Sequence, residues 1–152
     1  MLSVAEIMTV EPYTLTPDDS LAQARKLMAD HHIRHIPIVS GNGILVGVVS
    51  QRDVLAAADS SVLPNQSGRE QEERYIALSS VMTSPVQTVD EHASLRGTAM
   101  HLQQQRLGCL PVTRDDQLVG IVTDSDFVAV AINLMEQLEQ VEPVAEDFDD
   151  GY

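Results

Sequence analysis

Apolar residues recur at helical spacing after the turn-forming segment Pro17–Ser20. They are Leu21, Ala24, Leu27 and Met28. This spacing of three and four residues marks one face of a helix about ten residues long. The hydroxyl of Ser20 can accept the first free backbone N–H groups of such a helix, so the helix is expected to begin at Leu21. Thr14–Thr16, before the turn, has the pattern of a short strand.

Two runs rich in β-branched residues follow the helix. Ile36–Val39 and Leu45–Val49 flank Gly41–Gly43, and a glycine-containing turn between two such runs predicts a β-hairpin. Ser50 then stands where a helix cap is expected, with Asp53 in the first turn of the helix that it would start. The predicted order is strand, helix, strand, strand, helix.

The whole pattern occurs twice along the chain. Ile7–Thr9 recurs as Val81–Thr83, Ile36–Ile38 as Leu110–Val112, and Gly47–Asp53, after a one-residue deletion, as Gly120–Asp126. One copy alone buries too little surface to be stable, so the two copies are expected to pack into one globule. The predicted fold class is α+β, with two tandem β-α-β-β-α repeats related by pseudo-twofold symmetry.

The repeats set the expected domain boundaries. The first repeat is predicted at 1–58 and the second at 77–135. A polar linker at 59–76 separates them, and 136–152 form an acidic C-terminal tail.

The net charge of the protein excludes some classes of binding partner. The net charge is −14, from 23 acidic and nine basic residues, whereas a protein that binds nucleic acid needs an excess of positive charge. Lys26 is the only lysine and lies in no glycine-rich phosphate loop, and the motifs of serine hydrolases and zinc proteases are absent from the sequence, so no catalysis is expected.

The expected location is the cytoplasm, without membrane insertion. The apolar stretches are far shorter than the roughly 20 residues of a spanning helix, and the first residues do not resemble a secretory signal. The single cysteine, Cys109, cannot form an internal disulfide and fits a reducing compartment.

At the repeated motifs the sequence resembles a pair of cystathionine-β-synthase (CBS) domains, also called a Bateman module. The resemblance implies a stand-alone regulatory module, an energy sensor that binds AMP, ADP or ATP in clefts between the two repeats. It also implies a homodimer and a regulated partner protein, with the nucleotide as regulatory ligand and not as catalytic cofactor. Two alternatives stay open: an S-adenosylmethionine sensor, and an adaptor protein that acts without any ligand.

The motif around each second hairpin strand has the chemistry to hold a nucleotide. Asp53 and Asp126 can each accept two hydrogen bonds from a ribose diol, and Ser50 and Thr123 stand at helix starts where phosphate can bind. Gly47, earlier in the same motif, would allow close approach of the backbone. The alternative interpretation is structural, with Ser50 and Thr123 capping helices and the aspartates favoured by the helix dipole.

Arg34 and His35 are the predicted phosphate-binding cations, since the guanidinium group can grip phosphate with two hydrogen bonds. The second repeat has Gly108-Cys109 at these positions. The alternative is an exposed basic loop in an acidic protein. No metal site is expected, although three histidines lie close together, because they would lie on different elements and no cysteine nearby completes a ligand set.

The resemblance also implies an apolar slot for the adenine in each repeat. The predicted adenine-pocket residues are Thr9, Val10, Tyr13, Ile33 and Pro37 in the first repeat, and Thr83, Ser84, Val86, Leu107 and Pro111 in the second. Some of these apolar residues could instead belong to the ordinary core.

Overall fold

The structure is a computed structural model that describes residues 1–59 and 72–141. The predicted linker therefore lies mostly outside the described residues, as does the tail beyond Val141. The elements in chain order are β1 (Thr9–Val10), α1 (Leu21–His31), β2 (His35–Val39), β3 (Leu45–Ser50), α2 (Gln51–Asp59), β4 (Val89–Asp90), α3 (Leu95–Gln105), β5 (Cys109–Arg114), β6 (Gln117–Thr123) and α4 (Asp124–Val141). Short 3-10 helices at Val4–Glu6 and Leu78–Ser80 precede the first strand of each repeat.

Helices α1 and α3 begin at the predicted caps. The Ser20 hydroxyl accepts a hydrogen bond from the backbone N–H of Gln23 at 3.2 Å, and Ser94 accepts one from Gly97 at 3.0 Å. Both helices run for 11 residues. Each is followed by a residue in the left-handed region, His32 and Arg106, both with φ of 55°, and this geometry ends a helix by satisfying its last carbonyls.

Each repeat then folds into the predicted antiparallel hairpin. Strand β2 pairs with β3, and β5 pairs with β6. The second hairpin turns through Asp115 and Asp116, whose φ values of 51° and 67° suit a two-residue turn that matches the twist of the strands. The first hairpin turns through Gly43, with φ of 80°, where a side chain would be strained.

The segment that enters each repeat joins the sheet of the other repeat. Strand β1 pairs antiparallel with β6, with Thr9 opposite Ile121. In the same way Thr83 pairs with Val48, and the two residues exchange backbone hydrogen bonds of 2.8 and 3.2 Å. The two sequence repeats are therefore interlocked, and each hairpin is extended by the other repeat.

The two hydrophobic cores are interlocked in the same way. The core beneath the first hairpin is built from Leu21, Ala24, Met28, Ile36, Ile38, Val49, Val54 and Leu78. The core beneath the second hairpin is built from Val4, Leu102, Leu110, Val112 and Val122. Leu78 and Val4 are fully buried, and each belongs by sequence to the opposite repeat. Neither core is complete without residues from both repeats.

The glycines of the two hairpins make this interlock possible. A Cβ atom at Gly47 would lie 2.6 Å from the sulfur of Met82 and 3.1 Å from the carbonyl oxygen of Thr83. A Cβ atom at Gly120 would lie 2.6 Å from the sulfur of Met8. The group that approaches each glycine is thus the Met-Thr pair of the other repeat, which explains why the two motifs occur together.

Helix α4 differs from its counterpart α2 in length and exposure. It spans 18 residues, and none of its side chains is buried. Among the described helices, none is both long enough and apolar enough to cross a lipid bilayer.

Candidate functional site

Two clefts open between the interlocked repeats. The large cleft has a volume of about 600 Å³ and the small cleft one of about 340 Å³. The large cleft is lined by Arg34, His35, Val48, Ser50, Gln51, Arg52, Asp53, Thr83, Pro85, Val86, Gln87, Arg106, Leu107, Gly108, Cys109, Pro111 and Asp124. The small cleft is lined by Thr9, Pro12, Tyr13, His32, Ile33, Arg34, His35, Ile121, Thr123, Asp124, Ser125 and Asp126.

Each cleft combines the polar pair of one repeat with the predicted adenine slot of the other. In the large cleft, Ser50 and Asp53 face Thr83, Val86 and Leu107 across the junction. This arrangement follows from the interlock, because the pairing of Thr83 with Val48 carries the second repeat's entry segment to the end of β3.

The small cleft repeats the arrangement with the roles exchanged. Thr123 and Asp126 of the second repeat lie with Thr9, Tyr13 and Ile33 of the first. The pairing of β1 with β6 brings these segments together. The sequence predicted two polar pairs and two adenine slots without matching one to the other. In the structure, each polar pair lines a cleft together with the slot of the other repeat.

The aspartate of each polar pair also caps a helix. One carboxylate oxygen of Asp53 accepts the backbone N–H of Ser50 at 2.8 Å, and the Ser50 hydroxyl accepts the N–H of Asp53 at 3.1 Å. In the second repeat, one carboxylate oxygen of Asp126 accepts the N–H of Thr123 at 2.8 Å. In each case the bonds use Oδ2, and Oδ1 has no hydrogen-bond partner among the described residues. The structural and ligand-binding interpretations are therefore compatible.

Positive charge is unequal between the clefts. Three arginines, Arg34, Arg52 and Arg106, line the large cleft, whereas Arg34 is the only arginine of the small one. Within residues 1–59 and 72–141, none of the three forms an ion pair. Arg25 and Arg114, by contrast, are paired with Glu73 and Glu91.

Arg52 and Arg106 were not predicted from the sequence as cleft residues. Arg106 occupies the same repeat position as His32, and both have left-handed backbone conformations. Arg106 lines the large cleft and His32 the small one. A residue-by-residue comparison of the repeats could have identified Arg106. Arg52 lies within the repeated motif itself, at the position that aligns with Ser125 in the second repeat.

His35 lies between the two clefts, with its ring against Gly108. A Cβ atom at Gly108 would lie 2.8 Å from Nε2 of the ring. Burial lowers the pKa of His35 below its usual range; the charges of Asp124 and Asp53 oppose this shift, and that of Arg34 adds to it. The imidazole is therefore mainly neutral at pH 7.

Cys109 occupies the position that corresponds to His35. Burial, assisted by the charge of Asp124, raises the pKa of its thiol to about 12. The thiol is protonated at neutral pH, and a protonated thiol is a poor nucleophile.

Tyr13 already has an aromatic partner. Its ring stacks on that of His31, with centroids 3.9 Å apart and planes inclined by 21°. One face of the Tyr13 ring is thereby covered at the edge of the small cleft. The ring of His31 is therefore engaged in stacking. In the described part of the chain, no group of three or more side chains is suited to hold a metal ion.

Three predicted adenine-pocket residues lie outside the two linings. Val10 is 61% exposed and pairs with Gly120 at the sheet edge. Pro37 is fully buried within strand β2, where it pairs with Val48. Ser84 precedes the cis peptide bond to Pro85, and Pro85 is the neighbour that lines the large cleft. The other seven predicted residues do line a cleft.

The sequence of both repeats matches the model of a known protein family. The family model of the CBS domain matches residues 4–60 and 78–133. The chain belongs to the CBS-domain family. The two clefts are thus the junction clefts of a CBS-domain pair.

Relatives and solved structures resemble the pair over most of its length. A CBS domain-containing protein of Dictyostelium discoideum is 30% identical over 135 residues, covering 88% of this chain and 93% of that protein. A crystal structure from Vibrio cholerae, of a protein given a provisional role in acetoin utilization, matches with a TM-score of 0.78 and 44% identity, over 92% of this chain and 97% of that one.

Two further structures of CBS-domain pairs contain adenosine ligands. CBSX2 in complex with AMP matches with a TM-score of 0.74 and 25% identity, over 89% of this chain and 99% of that one. The pair from protein MJ0100, in complex with 5′-methylthioadenosine and S-adenosyl-L-methionine, matches with a TM-score of 0.74 and 26% identity, over 88% and 98%. These two CBS-domain pairs, which share the fold of this chain, therefore bind adenosine-containing ligands.

Proposed function

We propose that this CBS-domain pair is a regulatory module of the cytoplasm that binds an adenine nucleotide in its large cleft and signals to a partner protein. The observation that carries the proposal is the combination, in one cleft, of a free aspartate oxygen with three arginines that have no ion pair among the described residues. The AMP complex of CBSX2 supports the ligand class.

The ribose is assigned to Asp53. Its Oδ2 is held by the backbone of Ser50, which fixes the carboxylate in place. Its Oδ1 is then available to accept a hydrogen bond from a ribose hydroxyl, and a held carboxylate loses little side-chain entropy when a ligand binds. Asp126 takes the same role in the small cleft.

The adenine is assigned to the apolar side of each cleft. In the large cleft this side consists of Val86, Leu107 and Pro111, next to the polar Thr83. In the small cleft it consists of Ile33 and the uncovered face of Tyr13, next to Thr9. A flat apolar base fits such a slot, while backbone groups at its edge can provide polar contacts.

The phosphates are assigned to the cationic side of the large cleft. Arg34, Arg52 and Arg106 lie on three different segments that converge there, and guanidinium groups bind phosphate oxygens with paired hydrogen bonds. Ser50 and its neighbours at the start of α2 add backbone N–H groups. This charge favours a di- or triphosphate over AMP, and it disfavours the cationic sulfonium of S-adenosylmethionine.

The proposed mechanism is a shift between two arrangements of the repeats. Because each cleft has one wall from each repeat, a nucleotide binds best to the arrangement that brings both walls to it. The ligand changes the equilibrium only through its difference in affinity for the two arrangements. No group on the described part of the chain is proposed to act catalytically.

The partner surface is assigned to α4, and the proposed occupant is a second copy of the chain. Its exposed apolar residues include Leu134, Leu138 and Val141, whose alternating spacing of four and three is typical of a helix that pairs with another helix. Light scattering of the protein after size-exclusion chromatography would give its mass. L138E, in the middle of this stripe, should convert a dimer into a monomer, whereas a monomeric wild-type protein would contradict the assignment.

Isothermal titration calorimetry tests the ligand proposal. Protein shown to carry no nucleotide from purification is titrated with AMP, ADP, ATP and S-adenosylmethionine. The expected result is saturable binding that is tightest for ATP or ADP and weakened by D53N. This variant keeps an acceptor for the Ser50 N–H but removes the charge. An absence of heat with all four ligands would favour the adaptor alternative.

A further inference from the structure

The two clefts share one wall. Arg34, His35 and Asp124 line both the large and the small cleft. Arg34 precedes β2, His35 is the first residue of that strand, and Asp124 is the first residue of α4. Its backbone N–H bonds to the carbonyl oxygen of Gly108 at 3.1 Å, so Asp124 is held beside the glycine that contacts His35. These side chains can face a ligand on either side.

Arg34 is the one permanent cation of this shared wall. Its side chain is exposed and has no ion pair within the described residues. His35 is not a substitute, because burial lowers its pKa and keeps it mainly neutral at pH 7. No other lysine or arginine lines the small cleft. When the Arg34 guanidinium group turns into one cleft to bind a phosphate with two hydrogen bonds, it turns away from the other cleft.

We propose that the two clefts are negatively coupled through Arg34, so that a phosphate-bearing ligand in one cleft weakens the binding of a second such ligand in the other. This inference rests on the proposed function. When Arg34 turns toward the first phosphate, the wall facing the other cleft keeps the carboxylate of Asp124, which repels an anion. Both effects act against the second ligand.

The unequal charge of the clefts sets the order of filling. Arg52 and Arg106 serve only the large cleft, so a nucleotide fills the large cleft first and recruits Arg34 there. The small cleft then binds without its cation. Coupling of binding free energies is reciprocal, so a ligand placed first in the small cleft weakens the large cleft by the same factor. A ligand without phosphate, such as adenosine, does not compete for Arg34.

The test compares the affinity of each cleft for ATP when the other cleft is disabled with its affinity when both clefts are intact. ATP is titrated by calorimetry into the wild-type protein, into D126N, which reports the large cleft, and into D53N, which reports the small one. The small-cleft dissociation constant in D53N is expected to be at least about fivefold lower than that of the second step in the wild-type protein, the lower end of typical coupling factors. With adenosine the two values should agree.

Arg34 is tested by its own substitution and a matched control. R34Q, combined in turn with D53N and D126N, should abolish the difference between one-cleft and two-cleft titrations. R106N should weaken the large cleft yet leave the coupling in place, because Arg106 does not line the small cleft. Asparagine tolerates the left-handed conformation at this position. Thermal unfolding verifies that each variant is folded.

The outcomes separate the two proposals. If the single-cleft variants bind ATP and their affinities reproduce the wild-type titration without any coupling factor, the negative coupling is wrong and the nucleotide function stands. If R34Q leaves the coupling unchanged, the assignment to Arg34 is wrong. If neither the wild-type protein nor any variant binds ATP, ADP or AMP, the proposed function fails, and the coupling with it.

Discussion

The large and small clefts present the same polar pair to a ligand but differ in the charge behind it. Ser50 with Asp53 and Thr123 with Asp126 cap their helices in nearly the same way. The large cleft adds Arg52 and Arg106, whereas the small cleft has histidine and serine at the matching repeat positions. The residues that hold the fold together are therefore repeated, and the residues that would select a ligand are not.

Removing the charge of either aspartate should have the largest effect on the difference in ATP binding between the two clefts. D53N should weaken ATP binding to the large cleft, and D126N binding to the small one, each by about 1.5 to 3 kcal/mol, because hydrogen bonds to charged groups are of this strength. This corresponds to roughly 10- to 150-fold in dissociation constant. Calorimetry measures both. If the two variants weaken the same binding step, the aspartates do not belong to separate clefts.

Adding a methyl group at the repeated glycines should affect both repeats alike. G47A and G120A each place a Cβ atom 2.6 Å from a methionine sulfur and about 3 Å from a backbone oxygen. Such overpacking costs about 1 to 3 kcal/mol, which denaturation by urea would measure. G41A is the matched control, since a Cβ atom there meets nothing within 4 Å. A loss in one glycine variant only would show that the interlock is not symmetric.

The matching positions 35 and 109 should affect stability at opposite ends of the pH range. Burial lowers the pKa of His35, so the unfolded protein takes up a proton first, and stability falls as the pH drops below the unfolded value near 6.5. Burial raises the pKa of Cys109 from 9.0 to about 12, so the unfolded thiol ionises first, and stability falls above pH 9.0. The alkaline loss approaches about 1.4 kcal/mol per pH unit.

Denaturation as a function of pH, with variants of each residue, measures these effects. H35N should flatten the acid limb only and C109A the alkaline limb only. If C109A loses stability above pH 9.0 as steeply as the wild-type protein does, other groups cause the alkaline loss.

The smallest expected effect belongs to the matched pair Arg106 and His32. R106N should weaken ATP binding to the large cleft by about two- to fivefold, because an exposed arginine contributes roughly 0.5 to 1 kcal/mol. It should leave adenosine binding unchanged. H32N, at the same repeat position, should have little effect on ATP at pH 8. Equal losses for ATP and adenosine would indicate a change in cleft shape and not the loss of a phosphate contact.

The elements of the fold were predictable because their signals are local. The caps at Ser20 and Ser94, the apolar spacing of α1, and the two hairpins all depend on residues close together in sequence. The interlock was not predictable in this way. The pairing of Thr9 with β6, and of Thr83 with Val48, joins residues far apart in the chain, and short segments such as these carry no periodicity that identifies their partners.

The types of residue in the candidate site were predictable from the sequence, but which residues come together in each cleft was less so. The aspartates follow from the repeated motif, and the structure places them beside the predicted slots. Pro37 was indistinguishable by sequence from a cleft residue, because a buried position and a cleft wall both favour apolar side chains. Val10 is apolar as well, although it is 61% exposed and pairs with Gly120 at the sheet edge. Arg106 was missed because its neighbours in the sequence give no sign that it lines the large cleft, and only its alignment with His32 of the first repeat points to it.

The burial of Val4 and Leu78 in the opposite cores has a consequence for synthesis on the ribosome. The first core cannot close until Leu78 has left the exit tunnel, and Val4 must wait for the strands of the second hairpin, which are made later. Contacts between such distant residues slow folding, because the intervening chain must be ordered before they form. The nascent first half therefore has no complete native core of its own, and the apolar surface that it leaves exposed favours aggregation until the second half is made.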